Sequence, residues 1–459
     1  MGEASESVHR GRIRHAIRLV KPSAEVCCRR ARHPRPRASG GVTLRRTAKI
    51  AQAPPPLPIS LLPLFLLLQR DAEKALRLRA DALHRGAIVV DTHSDVTPKF
   101  EDPSYDFGSR HAEGHMDLPR MREGGLDVEF LSIYMGKVEG PGTGPGTAVH
   151  RAIRRIDAAW EMTRRHADQT EMALAAADVR PIVGSGKIAF LLGMEGGHMI
   201  EDDLAALRTF HRLGVRYLTL THTFHTNWAD SAGSGDPLEP RHRGLTDFGK
   251  QVVREMNRLG MMVDVSHVSE ATFRDALDAG VAPPIASHSS CRALHDHPRN
   301  LTDDQLRALA RKGGVVQINF YSAFVDPAYR KAADARRQRL APEIEALRKR
   351  HGADTDAFGE ARRELFRRYP LPKTPLAVLI DHLDHAIRVA GPDHVGLGAD
   401  WDGVDALPEG MEDCSGLPAI TVELLRRGHS EETVRRVLGE NTLRVLEECE
   451  KVARDLSRG

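Results

Sequence analysis

Six apolar runs in this 459-residue chain stop in a histidine or a carboxylate. His93 and Asp95 close IVVDTHSDV, Glu195 lies in GMEGGH, His222 in LTHTFH, His267 in VDVSH, His288 in ASHSS and Asp400 in GADWDG. Alternate residues of an extended chain share a face, so His93 and Asp95 point the same way, imidazole beside carboxylate. Such a pair holds a divalent metal, or it is an ordinary strand end with a hydrogen-bonded histidine. Several carboxylates gathered in one place are tolerable only around a positive centre. Three histidines with an Asp and a Glu suit zinc or a similar borderline metal. Five ligands exceed what one tetrahedral catalytic zinc uses, and they match two metals that share a carboxylate. Glu195 is the best-placed bridge, because Gly196 and Gly197 follow it and leave room for close approach.

Residues so scattered converge only if the elements that carry them end at one place. From about residue 71, eight short apolar runs alternate with helical stretches: AIVVDTHSD, LDVEFLSIYM, KIAFLLGMEGG, VRYLTLTHT, GMMVDVSH, PPIASHSS, GGVVQINF and HVGLGADWDG. Several are near-continuously apolar, as parallel strands buried on both faces are. The stretch DAEKALRLRADALHRG reads as an amphipathic helix closed by Gly86, and residues 149–178 read as a long charged helical region. EDDLAALRTFHRLG begins with acids and ends in His, Arg and Gly, which suits the helix dipole. TDFGKQVVREMNRLG has Thr246 as N-cap and Gly260 after its end, and SEATFRDALDAG and TDDQLRALARKGG follow the same grammar. The pattern predicts an α/β chain, a (β/α)8 TIM barrel over residues 71–459. A charged helical insertion at 334–373 would follow its seventh strand, and two or three short C-terminal helices would pack outside. In a parallel barrel all strand C-termini meet at one mouth. A doubly wound open sheet is the alternative, but no G-x-G-x-x-G or P-loop pattern opens a helix here. GPGTGPGT, residues 140–147, reads as a surface loop.

Composition narrows the partners. With 41% hydrophobic and 28% charged residues the chain is globular rather than disordered. Its net charge of +3 is uneven: residues 1–50 hold 13 Lys/Arg against three Asp/Glu, which leaves −7 for the rest. An acidic body argues against a nucleic-acid partner. The five cysteines form no C-x-x-C pair and no disulfide framework. Residues 1–70 read as a basic, disordered extension with a short signal-like apolar run, Leu57 to Leu68. That run is too short and too rich in proline to span a bilayer. A basic segment before an apolar core resembles a secretory signal, and a start of translation near Val42 would make it one. The reading as a plain disordered tail stays open, and with it both export and cytoplasmic residence.

Taken together and in order, VVDTHSD, DLPRMREGGL, GMEGGH, RYLTLTH, NWADS, VDVSHVSEATF, PIASHSSCRALHDHPRN and HVGLGADWDGV resemble the membrane (renal) dipeptidase family of zinc peptidases, from about residue 71 to the C-terminus. The resemblance implies two Zn2+ per chain with a hydroxide between them. His93, Asp95 and Glu195 would bind one, and Glu195, His267 and His288 the other. Positions matching His222, Arg299 and Asp400 would contact a dipeptide substrate. His222 would donate to the developing oxyanion, and Arg299 would pair with the C-terminal carboxylate. Asp400 would hold the free α-amino group and pass a proton to the leaving amine. Clamping both ends would restrict the enzyme to dipeptides. Family members are commonly homodimers. Asp91, Asp264 and Asp402 lie near the ligands and either orient imidazoles or are solvated strand ends. The chain departs from the animal enzymes in having Phe224 and no cysteine in THTFHT, and no C-terminal lipid-anchor signal is evident. Three rivals stand beside this reading. One is another binuclear-metal amidohydrolase, acting on a lactam, lactone or nucleobase. Another is a barrel kept as a non-catalytic module. The third is a peptidase for D-residue or modified dipeptides.

Overall fold

A computed structural model describes residues 62–136, 147–235, 238–352 and 356–458. The basic segment 1–50 and all but the last residue of GPGTGPGT lie outside them. Nine strands form one parallel sheet: β1 Val90–Ser94, β2 Val128–Tyr134, β3 Thr170–Met172, β4 Ile188–Glu195, β5 Val215–Thr219, β6 Met262–Asp264, β7 Ile285–Ala286, β8 Val315–Ile318 and β9 Val395–Leu397. β2 pairs with β1 and with β4, and β1 pairs with β9, so eight strands close on themselves as a (β/α)8 barrel. All eight apolar runs are barrel strands. β2 and β4 are buried along nearly their whole length, because helices cover one face and the barrel interior the other. β3 is a ninth strand without a counterpart in the sequence reading. It pairs Thr170 to Met172 with Ile188 to Phe190, below the part of β4 that pairs with β5. It divides the stretch expected to be continuously helical into Ala148–Arg165 and Ala176–Gly184.

The helices start and stop where their caps predict. Thr246 accepts from Gly249 N, and Gly260 ends that helix at φ +78. Ser269 accepts from Thr272 N, and Thr302 forms a capping box with Gln305. The first helix spans Leu62–Arg85 and so reaches back into the apolar run. No described helix is long and apolar enough to cross a membrane. The insertion is three helices, Pro327–Arg339, Ala341–His351 and Asp356–Arg367. The last helix, Asn441–Leu456, is longer than expected, and it does more than coat the barrel. Its Leu443, Val445, Leu446 and Cys449 join Val90, Val128, Met262, Ile285 and Val315 in one apolar cluster. Cys449 Sγ reaches Pro283 O, and Arg444 donates to Gly313 O. Both carbonyls precede strands, so this helix closes the end of the barrel opposite the mouth.

Candidate metal centre and substrate site

The predicted residues arrive together at the mouth. His93 lies in β1 with Asp95 just beyond it, and Glu195 ends β4. His222, His267, His288 and Asp400 follow β5, β6, β7 and β9. Glu195 is the hub. Its Oε1 is 2.8 Å from His267 Nε2, 3.2 Å from His288 Nε2 and 3.6 Å from His93 Nε2. Asp95 Oδ1 is 3.5 Å from His93 Nε2. His222 Nε2 lies 3.8 Å from Glu195 Oε2. The donor atoms form three overlapping groups, each within 4.8 Å: His93, Glu195 and His288; Glu195, His222 and His267; and His93, Asp95 and Asp400. His222 and Asp400, assigned to substrate by resemblance, thus stand within reach of the same centre.

Hydrogen bonding decides which ring nitrogens face inward. Tyr217 donates its hydroxyl to Thr92 O at 3.0 Å and therefore accepts Nδ1–H of His93, 2.8 Å away. Ser287 donates to Asp264 Oδ2 at 2.6 Å and accepts Nδ1–H of His288 at 2.8 Å. Both Nε2 atoms are left as lone pairs aimed at Glu195. The Nε2 atoms of His267 and His288 face each other at 2.9 Å. Buried His93 Nε2, Asp95 Oδ1 and Glu195 Oε2 have no hydrogen-bond partner. Two inward imidazole lone pairs, with carboxylate oxygens that have no partner beside them, fit a divalent cation as their common partner.

Of the three flanking acids, Asp264 reaches a candidate ligand ring, His288, through Ser287. It also accepts from the Ser266 and Ser287 amides and from Thr219 Oγ1. Asp91 instead takes the amides of His93 and Ala399, so it holds two strand ends rather than a ring. Asp402 accepts from Lys99 Nζ and His115 N and touches no proposed ligand ring. Tyr217 and Ser287 were not legible as functional residues. The one signal for Tyr217 is small: its pairing partner is Gly193, where a Cβ would strike the phenol ring at 2.0 Å. The glycines after Glu195 also answer local demands. Gly196 sits at φ +118, and a Cβ on Gly197 would meet Trp228 at 2.3 Å. His267 and Asp400 are non-glycine residues at φ +65 and +68, strain of the kind that collects at functional sites.

Charge is concentrated here. Burial alone would push Glu195 up, but the imidazoles of His222, His93, His267 and His288 hold it well below the carboxylate range. Burial, with Glu195 beside it, raises Asp95. Burial also raises Asp400 to about 6, with His93 opposing and Asp95 and Glu195 adding to the shift. Burial keeps His267 and His288 well below the usual histidine range. Arg299 is 2% exposed. It spends Nη2 on His288 O at 3.1 Å, while Nε and Nη1 have no partner. Burial lowers it to about 10, and its Cζ lies 5.5 Å from the Phe324 ring centre. A buried guanidinium with two idle donors is set for an incoming anion.

Known proteins share the sequence family and the fold. The family model for membrane dipeptidase (Peptidase family M19) matches residues 77–458. An uncharacterised dipeptidase of Schizosaccharomyces pombe is 34% identical over 405 residues, covering 85% of this chain and 87% of that protein. The crystal structure of a probable dipeptidase, PvdM, from Pseudomonas aeruginosa superposes with a TM-score of 0.70 at 27% identity, over 83% of this chain and 99% of that one. A metallo peptidase from Rhodobacter sphaeroides, liganded with a phosphinate mimic of the dipeptide L-Ala-D-Ala, gives 0.62 at 28% identity, over 79% and 99%.

Proposed function

The chain belongs to the membrane dipeptidase family, a family of metallopeptidases, and on that premise we propose that it hydrolyses the peptide bond of dipeptides at a binuclear zinc centre. His93, Asp95 and Glu195 would hold one ion and Glu195, His267 and His288 the other. Two such ions supply an activated water near neutral pH and polarise the scissile carbonyl. The chain's own residues do the rest. Glu195 joins the two halves of the site through its shared carboxylate. His222, 3.8 Å from Glu195, donates to the carbonyl oxygen as negative charge develops there. Arg299, with donors to spare on its guanidinium, pairs with the substrate's terminal carboxylate. Asp400 takes the α-amino group, accepts the proton given up by the attacking water and passes it to the leaving amine.

The observation that carries this reading is the buried, half-idle Arg299 guanidinium beside a buried ring of metal-type ligands. A fixed cation beside the reacting centre accepts a carboxylate only at a set distance from the scissile bond, which selects short substrates. The dipeptide mimic bound to the Rhodobacter sphaeroides relative makes a D-residue at the second position the first alternative to compare. The test is hydrolysis of L-Ala-L-Ala, L-Ala-D-Ala and tri-L-alanine by zinc-loaded and chelator-treated protein. Chelator-sensitive cleavage of a dipeptide but not of the tripeptide is expected. Equal cleavage of the tripeptide would overturn the clamp, and no cleavage of either dipeptide would move the activity to another amide or ester.

A further inference from the structure

β8 is one of two barrel strands that end without a histidine or carboxylate at the mouth, and just beyond it stands Asn319. Asn319 is fully buried. Its Oδ1 accepts from Tyr321 N at 2.6 Å, so the orientation of the amide is settled by a backbone donor. Nδ2 must then face the other way, and there it donates to Asp400 Oδ2 at 3.0 Å. The Asn319 carbonyl is held in turn by Ser290 Oγ at 3.0 Å. The side chain is anchored at both ends, as a device for fixing a neighbour would be.

Asp400 needs fixing. Its backbone is left-handed, with N bonded to His93 O at 3.1 Å. A Cβ at Gly403 would fall 2.2 Å from Asp400 Oδ1 and 2.6 Å from Asp95 Oδ2, so the two carboxylates lie side by side over that glycine. Like charges so placed push apart, and a carboxylate pushed about its Cβ–Cγ bond loses its aim. The Nδ2–H of Asn319 opposes that rotation on the oxygen away from Asp95. We infer that Asn319 is a positioning residue for recognition of the substrate's amino terminus, holding the Asp400 carboxylate in the plane that receives an ammonium group. This rests on the reading of Asp400 given above and extends it to a residue that touches no substrate.

The test uses zinc-loaded full-length protein and two substrates. One is whichever of L-Ala-L-Ala and L-Ala-D-Ala is cleaved faster. The other is the same compound with a propionyl group in place of the first alanine, which lacks only the amine. The readout is the ratio of their kcat/KM values. Asn319→Ala removes both anchors. Asn319→Leu keeps roughly the volume but can carry no donor, so it remains informative if the alanine variant folds poorly. Both are expected to shrink the ratio by about 10-fold or more, chiefly through KM for the dipeptide, with two zincs retained. A damaged fold would lower both substrates alike. An unchanged ratio in both variants overturns the inference. Asp400→Ala separates the two levels: if it abolishes the preference while the Asn319 variants keep it, only the role of Asn319 fails. If Asp400→Ala also keeps the preference, the amine-binding reading of Asp400 fails first.

Discussion

Arg299 shows what a binding residue costs the free protein. Its guanidinium is buried with two donors idle, and desolvating a cation whose donors are only partly matched is unfavourable. Arg299→Met should therefore raise the melting temperature of substrate-free, zinc-loaded protein while raising KM for dipeptides about 100-fold. Arg299→Lys should recover little of that affinity, because an ammonium cannot make the two-pronged pair. Calorimetry beside steady-state kinetics checks both, and a melting temperature that falls would contradict the account. The imidazole partners make a second prediction. Tyr217→Phe and Ser287→Ala remove the acceptors for Nδ1–H of His93 and His288, and each should weaken zinc binding about 10- to 100-fold in a chelator competition. The proposed ligands were legible only as a set, because each His, Asp or Glu could alone be an ordinary strand end, whereas six of eight apolar runs ending so is hard to dismiss. Tyr217 was not, because an aromatic residue inside VRYLTLT is indistinguishable from core until its hydroxyl is placed. Asn319 was hidden for the same reason, since its meaning lies in Asp400, far away in sequence.

Elements carry these residues to one mouth, and their joints are where stability responds to pH. The helix Leu376–Ala390 is pinned to the loop after β7 by His382. His382 Nδ1 accepts from Cys291 N at 3.0 Å, and Nε2–H donates to Val325 O at 3.0 Å. The bond from Cys291 requires an unprotonated Nδ1 and so a neutral ring, and burial pushes His382 down to about 4. The folded value lies below that of the unfolded chain, so the unfolded state binds the extra proton. This contribution is fully present above about pH 6.5 and is lost as pH falls towards 4, to about 3 kcal/mol in all. In His382→Gln the stability measured by urea unfolding should therefore fall less steeply between pH 6.5 and 4.5, by up to about one proton in the slope. An unchanged slope would show that His382 does not carry it. The eight barrel strands were legible because short apolar runs alternated with helical stretches, and six of the eight ended in the same chemistry. β3 was not, since Thr170–Met172 is three residues long and sits between two helical patterns. A strand so short is made by its pairing with β4, not by its own sequence.

At the scale of the molecule, a barrel needs both ends closed but only one of them reactive. The helix Asn441–Leu456 seals the far end with Leu446 fully buried among strand residues. Leu446→Ala should cost about 2–5 kcal/mol in urea unfolding and leave kcat nearly unchanged, because no ligand lies there. All proposed ligands fall within residues 93–400, so removal of residues 1–61 should leave kcat/KM for dipeptides within about 2-fold. The barrel was readable from its alternating elements, whereas its C-terminal seal was not, since an amphipathic helix does not announce which surface it covers. The central claim is that one carboxylate, Glu195, joins two metal sites, and zinc stoichiometry of reconstituted, gel-filtered protein tests it most directly. The account predicts two zincs per chain in the unaltered protein, one in His267→Ala, and close to none in Glu195→Ala. A single zinc in the unaltered protein, or two retained in Glu195→Ala, would contradict it.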